Sequence, residues 1–271
     1  MKKPISGFTV ARNVVKLGYP ASESIVSARA ICDDYVLSYD PYSDDFTADW
    51  AKEIAEELDL TLFERKWEMQ ESGQMWYDTK RDINEIARQT DAAAKQCKNS
   101  WNLYVQLDEG FHEDDHAAIQ NTADTAPEDV TGIDFLRVCF YGNLHTIRAD
   151  WSVPCTRMVR QGTHDYLLPG GGMSAGPKVG RHIQVPEWMW HYVRIGDPQT
   201  IAKRVRNLDT FYHDPATLIP EDELQPYDFK PREFDNTSTV KDRKPKEVEG
   251  DMRTYHGTHP EPFAVLYQEY E

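Results

Sequence analysis

The sequence contains no apolar run near the roughly 18 residues that a membrane-spanning helix needs. Its opening, "MKKPISGFTV", lacks both the apolar stretch and the cleavage site of a secretory signal. Cysteine is scarce, with four in 271 residues (Cys32, Cys97, Cys139 and Cys155) and none in a C-x-x-C pair. In apolar surroundings these read as buried free thiols of a reducing compartment, so a cytoplasmic location is expected. Positive charge is also short. A formal net charge of −16 disfavours holding long stretches of nucleic-acid phosphate by electrostatics alone, although one local basic patch is compatible with it. No internal repeat is visible.

What is present suffices for a folded α/β protein. Hydrophobic residues make up 39% and aromatic residues 11%, and the length suits one large domain or two small ones. "ISGFTVARN" reads as a strand running into a polar loop. "SESIVSARAI" follows as a helix with Pro20 leading in and Ser22 as a cap. "DYVLSYD" is a short strand, "TADWAKEIAEEL" an amphipathic helix with Thr47 as its cap, and "LTLFER" another strand. Alternation of this kind predicts right-handed βαβ units in a doubly wound sheet. Ile83, Ile86, Ala87, Thr90, Ala94 and Cys97 share one helical face, which predicts a long helix over 79–98. "WNLYVQLDE" is the next strand, followed by a short helix and strands in "GIDFLRVCFYG" and "CTRMVRQ". Past about residue 160 the pattern changes. "LPGGGMSAGPKVG" reads as a functional flap, "DPQTIAKRVRNLDTFY" as a helix, and the basic 230–246 stretch as a loop that orders on binding.

Two chemistries compete in "YVQLDEGFHEDDH". His112-Glu113-Asp114-Asp115-His116 matches H-E-x-x-H, in which a zinc hydrolase holds its metal on two histidines and activates water with the glutamate. Asp114 and Asp115 spoil the electrostatics of that reading, and no third ligand follows at helical spacing. Acidic residues at a helix start are favourable in their own right. His112 and His116 therefore read first as surface or capping residues. In the second chemistry, "VQLDE" delivers Asp108 and Glu109 from the carboxyl end of a strand, where open α/β sheets bind ligands. One or two carboxylates plus phosphate oxygens are enough to hold a divalent cation.

These residues, with others along the chain, resemble the family 2-like glycosyltransferases of the glycosyltransferase-A fold. "GFTVARN" is similar to the family's first strand and nucleotide loop. "CDDYVLSYDPYSDDFTADW" carries a D-x-x-S-x-D-x-T pattern at Asp40, Ser43, Asp45 and Thr47. "ARQTDAAAKQCKNSWNLYVQLDE" resembles the family's helix, tryptophan and metal-binding strand. "HYVRIGDP" resembles its late histidine segment, and "HGTHPEPF" a terminal signature of a bacterial and viral subgroup. The resemblance implies a Rossmann-type mixed sheet flanked by helices, with a nucleotide-sugar part in 1–160. An acceptor-side part and irregular extension of the same domain would occupy 161–271. It implies transfer of a sugar from a nucleotide-diphosphate donor to an acceptor hydroxyl, with inversion and with Mn²⁺ or Mg²⁺ as cofactor.

By the same resemblance, Asp40 meets the base, while Thr9, Arg12, Asn13, Ser43 and Asp45 shape the nucleotide pocket. Arg88 and Asp91 face the diphosphate and sugar. Asp108 holds the cation, and His191 is a second ligand or a phosphate contact. Gln106 stands where the family has the first aspartate of its D-x-D, so the metal rests on Asp108. Asp91 and Phe46 depart from the family's usual asparagine and glycine. For the base that deprotonates the acceptor, Asp165 is the first candidate and Glu113 the second. The acceptor is a glycan or small molecule, and a modified DNA base is a further possibility given the basic 230–246 stretch. The alternatives are the zinc hydrolase through His112, Glu113 and His116, and a nucleotide-sugar-binding module without catalysis.

Overall fold

The computed structural model describes residues 2–80, 83–167, 176–177, 180–230, 239–241 and 249–266. Most of the expected flap and most of the basic 230–246 stretch lie outside the described residues. The amino-terminal half alternates as expected. Strand β1 (Ile5–Ala11), helix α1 (Ala21–Arg29), β2 (Asp34–Tyr39), α2 (Thr47–Leu58) and β3 (Thr61–Glu64) precede α3 (Glu85–Ala94) and β4 (Trp101–Tyr104). β1 pairs in parallel with both β2 and β4, and β2 with β3, so the carboxyl ends of these four strands share one edge. The chain continues through β5 (Glu109–Gly110), α4 (His116–Thr125), β6 (Val130–Tyr141), β7 (Asn143–Arg148), β8 (Pro154–Arg160), β9 (Arg181–Arg194), α5 (Pro198–Asp209) and β10 (Met252–Thr254). All ten strands belong to one mixed sheet with the spatial order β10-β7-β6-β8-β4-β1-β2-β3, to which β9 adds by pairing with β5 and β6. The expected fold class, a mixed α/β sheet flanked by helices, is therefore present.

Alternation along the strands feeds two cores, as period-two geometry requires. Ile5 and Ala11 of β1 face α1, α2 and α4 through Ile25, Ala28, Ala51, Ile54 and Ile119. Phe8 faces the other way and packs with Ala93 and Ala94 of α3 and with Tyr104 and Tyr166. Among the described residues, no helix is long and apolar enough to cross a membrane. The four cysteines are buried and free.

Several local expectations are corrected. The helix expected over 79–98 is shorter, because the Asn84 side chain accepts the Ala87 amide and starts it at Glu85. Ahead of it, Tyr77–Asp78 pairs with Ile83–Asn84. Ser22 and Thr47 are not caps. Ser22 lies inside α1 and accepts a hydrogen bond from the Trp50 indole, while Thr47 opens α2 and accepts the Val14 amide at 2.7 Å. Both hydroxyls tie segments together across the fold instead of closing a helix end. The strand of "WNLYVQLDE" stops at Tyr104, where the chain turns at Gln106–Glu109. β9 was not foreseen as a strand, since Trp188, Trp190 and Tyr192 alternate with Met189 and His191, leaving no polar face to mark it.

Candidate active site

The site begins at the turn after β4. Glu109 accepts two hydrogen bonds from Arg157 of β8, from Nε at 2.8 Å and Nη2 at 2.6 Å, and both side chains are fully buried. It also accepts the Gln106 amide at 3.1 Å. Glu109 is thereby committed to holding the turn, and Asp108 is left to face the cleft. The Asp108 carbonyl in turn accepts the Tyr192 amide of β9 at 2.8 Å, which docks the turn onto the strand that carries His191.

Asp108 and His191 meet inside this arrangement, with Oδ2 and Nε2 3.5 Å apart. Asp108 is 6% exposed and His191 5%. Burial alone would raise the Asp108 carboxyl, but His191, with Arg204 and Arg194 beyond it, holds it below its usual range. Burial pulls His191 down; the Asp108 charge outweighs that and, with Cys139, pushes it up to about 9. Cys139 Sγ lies 3.3 Å from Nδ1 of the same ring. The pair is thus an imidazolium and a carboxylate, with the ring fixed from behind.

A cleft extends from this pair along the carboxyl ends of the parallel strands. Arg12 and Val14 line it beyond β1, Trp67 and Met75 form part of one wall, and α5 forms another with Arg204 and Leu208. Arg12 Nε donates to Asp40 Oδ2 at 2.9 Å, so Asp40 reaches the cleft through Arg12. Tyr19 also lines it; burial, then the Asp108 charge, pushes its phenol up to about 12. The Arg204 guanidinium stands 4.9 Å from the centre of that ring and donates to the carbonyls of Leu17 and Ile195. Asp108 is the only carboxylate among the described residues lining the cleft.

The other expected residues fall in distinct places. Asn13, with φ at 52°, lies beside the cleft; its Oδ1 accepts the Asp44 amide and its own amide donates to Ser43 Oγ. Asp45 accepts the amides of Lys16 and Thr47. Asn13, Ser43 and Asp45 therefore shape the loop under Arg12. Thr9 is buried in β1 and does not line the cleft. Arg88 bonds Glu68 and Glu85 and lies over the Trp76 ring, in a separate depression. Asp91 pairs with Lys95 at another. Asp165 accepts the Leu167 amide, and Glu113 accepts the Glu261 amide; neither lines the cleft.

His112 and His116 do separate work. His112 caps the turn Glu113–Asp115 by accepting the Asp114 amide on Nδ1, and its Nε2 lies 3.2 Å from Thr258 Oγ1. His116 begins α4, whereas a zinc motif needs both rings on one face within a helix. Among the described residues, no group of three His, Cys, Asp or Glu side chains is placed to hold a metal. Asp108 is thus a single carboxylate facing the cleft, and no metal cage built wholly of protein is formed among the described residues.

Arg194, Arg204 and the Arg157–Glu109 clamp were not foreseen. Arg204 had a signal, since it sits on the apolar face of α5 with Ile201, Val205 and Leu208. A lone arginine among such residues marks a buried charge with a dedicated partner.

No protein-family model matches the chain, and no curated protein matches it in sequence. Among solved structures, S. aureus TarS 1-349 is similar at 14% identity and a TM-score of 0.44, over 81% of this chain and 67% of that one. The same protein in complex with UDP-GlcNAc matches at 13% identity over 81% and 68%, also with a TM-score of 0.44. The mannosyltransferase PcManGT from Pyrobaculum calidifontis, in complex with GDP-Man and Mn²⁺, is 15% identical with a TM-score of 0.35. That match covers 51% of this chain and 36% of the mannosyltransferase, so the chain spans only about a third of its length. These are likenesses in outline only, and the function must rest on this chain's own residues.

Proposed function

We propose that this protein is a glycosyltransferase that takes a sugar from a nucleotide-diphosphate donor and delivers it to an acceptor hydroxyl. One observation carries the reading. A buried carboxylate at the turn after β4 and the Arg12–Asp40 pair at the ends of β1 and β2 converge on one cleft. A nucleoside diphosphate needs that combination. Its base and ribose lie against one strand end, and its negative charge is met by a cation and fixed positive groups at another.

In this reading Asp108 holds Mn²⁺ or Mg²⁺. The ion supplies charge neutralisation of the departing diphosphate. His191, 3.5 Å from Asp108, is placed to serve as a second ligand of the cation or as a phosphate contact. Arg194 and Arg204 add fixed positive charge near the same point. Arg12 and Asp40 form the nucleotide end, supported by the loop of Asn13, Ser43 and Asp45. Thr9, Arg88 and Asp91 are assigned no donor contact.

For the acceptor base, Asp165 is preferred to Glu113. Its neighbour Tyr166 packs against Phe8 in the middle of β1 and Tyr104 at the end of β4, whereas Glu113 lies beside the carboxyl-terminal segment. Inversion follows from the resemblance, as do a glycan, small-molecule or modified-base acceptor and the division of labour between 1–160 and 161–271. Residues after 160 contribute His191 and α5 to the donor cleft, so that division is not a clean one.

Titration calorimetry of the protein with UDP, GDP and their sugars, with and without Mn²⁺, tests the proposal. Metal-dependent binding that disappears in Asp108→Asn is expected. No nucleotide binding under any of these conditions would remove the reading. Binding without transfer or donor hydrolysis would instead indicate the non-catalytic module.

A further inference from the structure

A second site lies on the opposite face of the sheet. In β9, Gln184 pairs with Asp134 and Trp188 with Leu136, so the strand carries two extra residues between these positions. Pro186 and Glu187 occupy that bulge, the kind of irregularity that accommodates proline and re-aims neighbouring side chains. From Trp188 to His191 the pairing is regular, and alternation puts Trp188 and Trp190 on the face away from His191. They line a groove with Tyr255, Asp115, Glu187 and His112, which shares no residue with the Asp108 cleft. The groove thus takes in part of the H-E-D-D-H run, which the proposed transfer leaves unused.

Its chemistry points to one kind of ligand. The aromatic wall is continuous, with the Trp188 and Trp190 rings 5.8 Å apart and the Trp190 and Tyr255 rings 5.3 Å apart. Trp190 is 4% exposed, and its Nε1–H has no hydrogen-bond partner among the described residues. Glu187 Oε2 is likewise cut off from solvent and unpartnered. An indole N–H only donates and a carboxylate only accepts. Hydroxyl groups suit both, since a hydroxyl can accept from an N–H and donate to a carboxylate. An organic cation would suit the carboxylates and the rings but would leave the indole unpaired. Asp114, Asp115 and Glu187 with no lysine or arginine along the lining repel phosphate and uronate.

We infer that this groove is a carbohydrate-binding subsite for a neutral oligosaccharide, which stacks on Trp188 and Tyr255 and gives hydroxyl partners to Trp190 and Glu187. The inference needs only the groove and stands whether or not the cleft on the other face transfers sugar. Burial and the neighbouring Glu187 charge raise the Asp115 carboxyl, in keeping with an acidic groove.

The test is tryptophan fluorescence and calorimetric titration of the whole protein with malto-, cello-, xylo-, manno- and chito-hexaose. At least one should bind with a Kd of about 1 mM or tighter. Trp188→Ala should weaken it about tenfold or more, as removal of a buried aromatic anchor does. Glu187→Gln should weaken it as well, and it keeps the test valid if Trp188→Ala does not fold. Nucleotide binding with Mn²⁺ should be unchanged in both variants, which separates this site from the Asp108 cleft. The inference is overturned if no oligosaccharide of the panel binds, if binding survives both substitutions, or if the groove takes only tetramethylammonium or butylamine.

Discussion

Arg157 and Glu109 form a two-pronged ion pair with neither side chain exposed, linking β8 to the turn that presents Asp108. Removing one partner leaves a buried charge unmatched, so Glu109→Gln or Arg157→Met should cost about 3–5 kcal/mol. The double variant Glu109→Gln/Arg157→Met should recover part of that loss, because no lone charge remains. Urea unfolding of the three variants measures this. A single variant as stable as the parent would show that the clamp does not hold the turn.

Asp108→Asn should remove the metal dependence of donor binding and reduce transfer by about 100-fold or more, as loss of a central electrostatic group does. The side chain is nearly isosteric, so the fold should survive, and circular dichroism should be unchanged. Retained Mn²⁺-dependent turnover would move the cation site elsewhere.

His259 gives stability a pH dependence. Its Nδ1 accepts from the Tyr192 hydroxyl at 2.8 Å, and its Nε2 donates to the Leu144 carbonyl at 2.9 Å. Burial holds its pKa down at about 4, against an ordinary value of 6.5. The unfolded chain therefore binds the proton first as pH falls. The contribution is complete above about 6.5 and is lost between there and about 4, roughly 2–3 kcal/mol in all. His191 works in the other window. Its raised pKa stabilises the fold below 6.5, and that benefit fades as pH rises through about 9. Melting temperatures from pH 4 to 7 should rise with pH, and His259→Gln should flatten the slope.

Gly110 carries no side chain because the Phe263 ring occupies the space a Cβ would take, with Ser27 Oγ close by. Phe263 stacks on Tyr192 with ring centres 4.3 Å apart, directly beside His191 in the chain. Gly110→Ala should cost about 1–3 kcal/mol by overpacking. It should also weaken donor binding, since Tyr192 is pinned to the Asp108 carbonyl. A melting curve and a nucleotide titration on the same sample check both effects.

Much of the amino-terminal half could be read in advance because its signals are local. The strands and helices from Ile5 to Glu64 announce themselves by period and by loop composition. Asp108 reads as the end of an apolar strand, and the turn from Gln106 that carries it was not foreseen. The resemblance assigns Arg12 and Asp40 each to the nucleotide pocket, but that one donates to the other was not foreseen. Thr9, Arg88 and Asp91 do not line the Asp108 cleft, for a simple reason. A residue one or two positions from a strand end, or on the near turn of a helix, can point to either side of the sheet. The short sequence motif does not say which. The H-E-x-x-H match reads as capping or surface residues, and His112 does cap the turn that its spacing would make helical.

The sequence by itself determined the succession of parallel strands and helices, and the point at which a carboxylate leaves the sheet. Both depend on contacts within a few residues, which hydrophobic period and turn chemistry encode directly. Only the tertiary structure decided that His191 would face Asp108, that Arg157 would neutralise Glu109 and leave Asp108 free, and that Trp190 would lie on the other side of its strand. Those outcomes follow from β9 pairing beside β6 and β5 and from β8 pairing beside β4, far away in the chain. Such pairings are selected by how the whole core closes, and no local stretch carries that information.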